Sequence, residues 1–220
     1  MSVSGSPNAW ADLLEDILPD LLQLVVDTWD TLKGPLTNAR EDTVTNALCR
    51  ALKANKKLRG LPVYVIPQMV ELEPAEGEDL GRLDIAFLPT GIQGSPDESI
   101  YFCLECKWLN VVINGGRRPK GSEYVKNGML RFVNGQYAKA VRHGGMVGYV
   151  LDGDIEGAIA NVENNIQRHC AILCMKAPGE LLASSILTHV PTARESFHNR
   201  QGETVPFRVH HLFFTADSLL

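Results

Sequence analysis

The sequence predicts an α/β fold in which a mixed β-sheet is flanked by α-helices. Two observations carry this expectation. Segments with apolar residues three and four apart alternate along the chain with short segments of strand character, the pattern of helices layered on a sheet. The 220 residues also show no compositional break, internal repeat or low-complexity tract, so one core and a single domain over 1–220 are expected.

The elements follow in order. After a flexible leader, Trp10 to about Leu32 carries Leu14, Leu18, Leu21, Leu22, Val25 and Trp29 at helical spacing, interrupted near Pro19. This predicts an N-terminal helical extension over residues 1–33. Lys33-Gly34-Pro35 ends it, and Thr37 or Asn38 can cap a second helix from about Arg40 to Asn55. Glu41 falls on the same face as Val44, Leu48 and Leu52, so this acid heads a buried stripe. Leu61 to Glu73 reads as a strand whose Pro62 and Pro67 limit its ladder bonds, and an acidic turn leads into a strand from Arg82 to Leu88. A turn or loop from Pro89 to Glu98 precedes a strand from Tyr101 to Trp108, which completes a meander.

Asn114 to Gly121 reads as a polar, basic, mobile loop placed to close over a substrate. A helix follows from about Glu123 to Val141, weakened by Gly128 and Gly135. Met146 to Leu151 reads as a buried strand, Ile155 to His169 as a helix, Ala171 to Met175 as a short strand and Phe207 to Phe214 as a late strand.

Asp84 and, twenty-one residues later, Glu105-Cys106-Lys107 place two acids and an ammonium group inside apolar strands. Charge buried there is costly unless paired. Strand alternation sends Cys103, Glu105 and Lys107 to one face and Phe102, Leu104, Cys106 and Trp108 to the other. A divalent cation between the carboxylates accounts for the arrangement, and Cys106 on the opposite face reads as a core thiol.

The formal charge of −5 argues against a general polyanion binder, but the charge is unevenly spread. Residues 110–145 hold Arg117, Arg118, Lys120, Lys126, Arg131, Lys139 and Arg142 against Glu123 alone, whereas residues 1–32 hold six acids and no Lys or Arg. Five scattered cysteines read as reduced core residues, and neither Cys103/Cys106 nor Cys170/Cys174 has a histidine companion suited to zinc. His210 and His211 face opposite sides of their strand. Gly115-Gly116 and Gly144-Gly145 build neither a phosphate-binding GxxxxGKT loop nor a GxGxxG turn, and no serine elbow is present. No apolar run reaches membrane-spanning length and the start lacks a secretory pattern, which places the chain in the cytoplasm with no membrane partner.

The order Glu41, Asp84, Glu105-x-Lys107 resembles that of the PD-(D/E)XK nuclease superfamily, with Leu83 where a Pro usually precedes the Asp. Tyr124-x-x-x-Gly128-x-x-Arg131-Phe132-x-x-Gly135-Gln136-Tyr137 resembles the helix that follows the core motif in such nucleases. The resemblance covers mainly residues 38–150, which it marks as the catalytic core, and implies a restriction-endonuclease-like mixed sheet flanked by helices. It implies Asp84, Glu105 and Glu41 as ligands of Mg²⁺ or Mn²⁺, Lys107 as the group that positions or activates water, and Gln136 as a further catalytic residue. It implies nucleic-acid contacts at Tyr124, Arg131 and Tyr137, joined by Arg117, Arg118 and Lys120 of the basic loop. The expected activity is metal-dependent cleavage of DNA, with RNA as the other substrate, by an endonuclease of restriction, anti-phage or mobile-element type. A homodimer or a separately encoded activating or targeting subunit is the expected partner. The rival expectation is a noncatalytic scaffold or partner-binding protein that retains the fold and uses the acids as a hydrogen-bonded network.

Overall fold

In chain order the elements are α1 (Pro7–Thr31), α2 (Glu41–Arg59), β1 (Val63–Val70), β2 (Arg82–Pro89), β3 (Phe102–Leu109), β4 (Val111–Ile113), β5 (Gly116–Arg118), α3 (Gly121–Tyr124), a π-helical turn (Val125–Met129), α4 (Leu130–Val133), β6 (His143–Val150), α5 (Ile155–Arg168), β7 (Leu182–Ala183), β8 (Arg194–His198) and β9 (Phe207–Thr215). The structure, a computed structural model, describes residues 7–32, 40–70, 81–92 and 100–216. The expected cap at Thr37 or Asn38, the stop at Lys33-Gly34-Pro35 and most of the acidic turn and of the loop before β3 lie outside the described residues.

Seven strands form one mixed sheet in the order β1-β2-β3-β6-β9-β8-β7. β1, β2 and β3 are an antiparallel meander, β3, β6 and β9 run parallel, and β8 and β7 return antiparallel. Pro67 sits in β1, at the edge, where its missing N–H removes no interior ladder bond. Helices cover both faces. Phe214 of β9 stacks on Trp29 of α1 and its neighbour Phe213 stacks on Tyr124 of α3, and adjacent strand residues point to opposite sides.

Several expectations are corrected here. α1 continues through Pro19, which is exposed, so the carbonyl that its ring leaves unpaired can turn to water. It is a core layer and not an extension: Leu21, Leu22, Leu24 and Val25 are fully buried, each contributing about 1.5–3 kcal/mol. α2 runs on to Arg59. The helix expected to reach Val141 ends at Val133, with Gly135 in the left-handed region. Residues 171–174 are turns and 171–175 form no strand, with Cys174 at φ 51 and only Leu173 of the run buried; a short apolar run does not by itself separate a strand from a turn. β7 and β8 carry no local strand pattern: one is only two residues long and the other, Arg194-Glu195-Ser196-Phe197-His198, is mostly polar. The sheet thus extends well past the 38–150 boundary, with β9 an interior strand between β6 and β8, buried at all but its second and last residues.

Those polar β8 residues are buried for a reason. His198 Nδ1 lies 2.7 Å from the carbonyl of Leu173, which only accepts, so His198 donates there and its Nε2 accepts from Ser196 Oγ at 2.8 Å. Ser196 Oγ in turn accepts from His211 Nε2 at 2.8 Å, and His211 Nδ1 accepts from the Tyr124 hydroxyl at 3.0 Å. Every donor meets an acceptor only when both rings are neutral. Burial holds His198 down to about 4 and His211 down to about 3. Both folded pKa values lie below the ordinary histidine value, so the stability they confer is complete above about 6.5 and is lost as pH falls toward 4 and below. Thermal unfolding scans are expected to show a melting temperature that falls steadily from pH 6.5 to 4; a flat profile over that range would show that the rings are not held neutral.

Candidate active site

The site forms where the β2–β3 ladder opens. Their pairing runs from Phe87↔Phe102 to Ile85↔Leu104 and stops, although the register sets Asp84 directly across from Glu105. β3 stays paired with β6 on its other edge from Leu104 to Leu109. Two amides on the freed edge, two residues apart and so pointing the same way, take carboxylates instead. Cys106 N–H donates to Asp84 Oδ2 at 2.7 Å, and Trp108 N–H donates to Glu41 Oε2 at 2.7 Å. On the other side of β2, Gln68 lies across from Asp84 in register, holds φ 47 and drops out of the β1–β2 ladder between Pro67↔Ile85 and Met69↔Leu83. Backbone strain of this kind concentrates at functional sites.

Glu105 is 1% exposed. Its Oε1 accepts from Lys107 Nζ at 2.7 Å and from Arg131 Nη1 at 3.0 Å, while Oε2 is buried with no hydrogen-bond partner. Lys107 Nζ also stands 3.6 Å from Glu41 Oε1. Burial, and then the charge of Asp84, push Glu105 up to about 7. Burial likewise raises Asp84 and Glu41, against the pull of Lys107. Burial alone would lower Lys107, but Glu105, Glu41 and Asp84 outweigh it and hold the ammonium above its ordinary value. Three acids thus face two cations at a partly buried site, an imbalance that a further cation would relieve.

Among the described residues no three His, Cys, Asp or Glu side chains gather as a ready ligand set. Glu41 is committed to Lys107 and the Trp108 amide. The pair that suits a divalent ion is Asp84 and Glu105: hard oxygen donors, adjacent across two strands, one of them with an orphaned buried oxygen. A cleft of about 570 Å³, lined by Glu41, Lys107 and Arg131 together with Val111, Ile113 and Lys120, adjoins the pair through Lys107 and Arg131, both of which bond Glu105.

The helical run of residues 121–133 lies on Glu105 because Gly128 has no side chain: a Cβ there would stand 2.4 Å from Met146 Cε and 3.7 Å from Glu105 Cγ. The π turn at Val125–Met129 brings Asn127 to the cleft, and sequence periodicity had no means of showing it. Gln136 is not on a helix; its amide packs beside Gly81 at the start of β2, and it forms no hydrogen bond to the carboxylates.

The expected nucleic-acid contacts divide. Tyr124 and Tyr137 are fully buried. Tyr124 belongs to the histidine chain, and the Tyr137 hydroxyl takes the Arg131 guanidinium at 2.6 Å and donates to the Arg82 carbonyl at 2.6 Å. Tyr137 therefore ties β2 to Arg131, which holds Glu105; large aromatics beside glycine at a helix end read equally as surface or as packing. Arg131 is a ligand of Glu105 first, with its side chain 35% exposed toward the cleft. Arg117 is bound to Asp152 at 3.0 Å and Asp154 at 2.9 Å, so it is a brace. Arg118 is exposed, and Lys120 reaches the cleft while paired with Glu123 at 3.0 Å.

Comparison of the chain with protein-family models, curated proteins and solved structures returns no match. Among the described residues no helix is long and apolar enough to cross a membrane.

Proposed function

We propose that the protein is a divalent-metal-dependent phosphodiesterase acting on nucleic acid, a DNA endonuclease of the PD-(D/E)XK kind built on a restriction-endonuclease-like sheet. The observation that carries this reading is the opened β2–β3 ladder, which sets Asp84 against Glu105 with the Glu105 Oε2 oxygen buried and unpartnered. Asp84 and Glu105 would hold Mg²⁺ or Mn²⁺, and the ion when bound supplies Lewis-acid stabilisation of phosphate charge and acidifies water. Lys107, kept charged by three carboxylates, orients water or offsets charge on the scissile phosphate. Glu41 orients Lys107 from the second side. Arg118, Lys120 and Arg131 supply cations along the cleft for a phosphate backbone. Restriction, anti-phage defence or mobile-element function fits such a nuclease, with DNA targeting by a second copy or a separate subunit.

The decisive assay offers purified protein supercoiled plasmid, linear duplex, single-stranded DNA and RNA, each with Mg²⁺, Mn²⁺ or EDTA. Nicking or linearisation of plasmid that requires the ion is expected and EDTA is expected to stop it. A second reading, a noncatalytic scaffold, draws on a specific observation: each carboxylate already has a partner within the protein. Intact substrates in every arm, together with no heat of Mg²⁺ or Mn²⁺ binding at neutral pH, would select that reading and retire the first.

A further inference from the structure

The residues expected to be a mobile basic loop form a stiff ribbon. β4 and β5 pair as Val111↔Arg118, Val112↔Arg117 and Ile113↔Gly116. Asn114 and Gly115 close the turn with φ 51 and 74, the two positive values of a type I′ hairpin. At the base, fully buried Asn110 donates its side-chain amide to Asp152 Oδ1 at 2.9 Å and to the Asp154 carbonyl at 3.1 Å, and its N–H to the Pro119 carbonyl at 3.1 Å. Arg117 adds its two ion pairs to the same acidic turn.

Residues directly across a ribbon share a face. Val112 and Arg117 occupy one face, so the other carries Val111, Ile113 and Arg118, and Val111 and Ile113 line the cleft. The partner of Ile113 is Gly116, which has no side chain to cover it, and Ile113 is left 41% exposed beside Val112 at 55%. Exposed β-branched side chains thus stand on the two faces of a braced prong, with Ile113 at the rim of a cleft whose neighbouring groups are Lys107, Lys120 and Arg131.

We infer that the hairpin is a wedge for duplex DNA, with Ile113 as the inserting side chain. This rests on the reading of the cleft as a nucleic-acid site. The cations and the apolar tip call for one ligand that offers both phosphates and apolar faces. In a duplex the apolar faces are the stacked bases, reached only when a step is opened, and apolar wedges of this kind unstack and kink DNA in other architectures. Arg118, on the Ile113 face, and Lys120 take flanking phosphates. Because the ribbon is already ordered, little conformational freedom is lost when it inserts. The preferred substrate is therefore a duplex that opens easily, at a flexible pyrimidine–purine step or at a mismatch.

The test uses the full chain with DNA duplexes carrying 2-aminopurine at successive positions, bound in Ca²⁺. A rise in fluorescence at one or two adjacent positions is expected with the natural protein and with Ile113→Phe, and no rise with Ile113→Ser. By anisotropy, Ile113→Ser is expected to lose about tenfold in affinity for the paired duplex and less than about threefold for a duplex mismatched at the responding step, since unstacking costs less there. Binding without any rise, or an equal loss on both duplexes, overturns the wedge and leaves the nuclease reading intact. Failure of the natural protein to bind any duplex overturns the wedge, and the nuclease reading then stands or falls on the cleavage assay alone. Sedimentation without DNA completes the set: a dimer that Val112→Ser and Ile113→Ser convert to a monomer makes the ribbon an interface between copies and overturns the wedge.

Discussion

Replacing Asp84 with Asn is expected to abolish ion-dependent cleavage, lowering turnover by about a thousandfold or more, because the ion contributes several kcal/mol of transition-state stabilisation. The fold should survive. The Asn carboxamide oxygen can still accept the Cys106 N–H that Asp84 accepts at 2.7 Å, so the freed edge of β3 stays capped. Removing this charge also relieves Glu105, whose pKa is raised first by burial and next by Asp84; without Asp84 it should fall. Melting temperature in EDTA should therefore be unchanged or higher in Asp84→Asn, while calorimetry with Mn²⁺ shows weakened binding. Glu105→Gln should lose cleavage equally. Turnover within tenfold of the natural protein in either variant would sink the assignment of this pair, since a direct ligand is worth far more than one decade.

Lys107→Ala separates chemistry from ion binding. The ammonium is bonded to Glu105 at 2.7 Å and stands 3.6 Å from Glu41, so its loss leaves a carboxylate that is 1% exposed with only Arg131 opposite. A buried charge that loses one of its two cations is less well compensated, a penalty that Glu105 avoids by keeping its proton. Its pKa should rise above the present value of about 7. At neutral pH protons then compete with the ion and Mn²⁺ affinity falls; near pH 9 the carboxylate is free again and affinity returns. Cleavage is not expected to return with it, remaining about a hundredfold or more below the natural protein because the water- or phosphate-positioning charge is gone. Recovery of cleavage together with binding at high pH would make Lys107 a structural partner of the acids and nothing more.

The basic segment shows how one composition supports opposite outcomes. Arg117 and Arg118 are neighbours of identical chemistry, yet the hairpin register points one at Asp152 and Asp154 and leaves the other exposed on the face that Val111 and Ile113 turn to the cleft. Nothing within residues 114–121 announces the acids more than thirty positions away. Tyr124 and Tyr137 were open to the same ambiguity: their partners His211 and Arg82 lie 87 and 55 residues distant.

What the sequence determined by itself is what local pattern encodes. Period-two and period-three-to-four spacing marked helices, the meander and the late strand at 207–214, and alternation along β3 put Glu105 and Lys107 on one face with Cys106 opposite, fully buried. These follow from backbone geometry that repeats every few residues. The tertiary structure alone decided where that geometry breaks. It opened the β2–β3 ladder at Asp84, set Glu41 on the amide of Trp108, passed a π turn over Glu105 at Gly128, and inserted β9, with its buried histidines, beside β6. Each of these depends on which distant group satisfies a backbone amide, a charge or a ring nitrogen. That choice is made by the free energy of burying polar groups together, which no window of neighbouring residues contains.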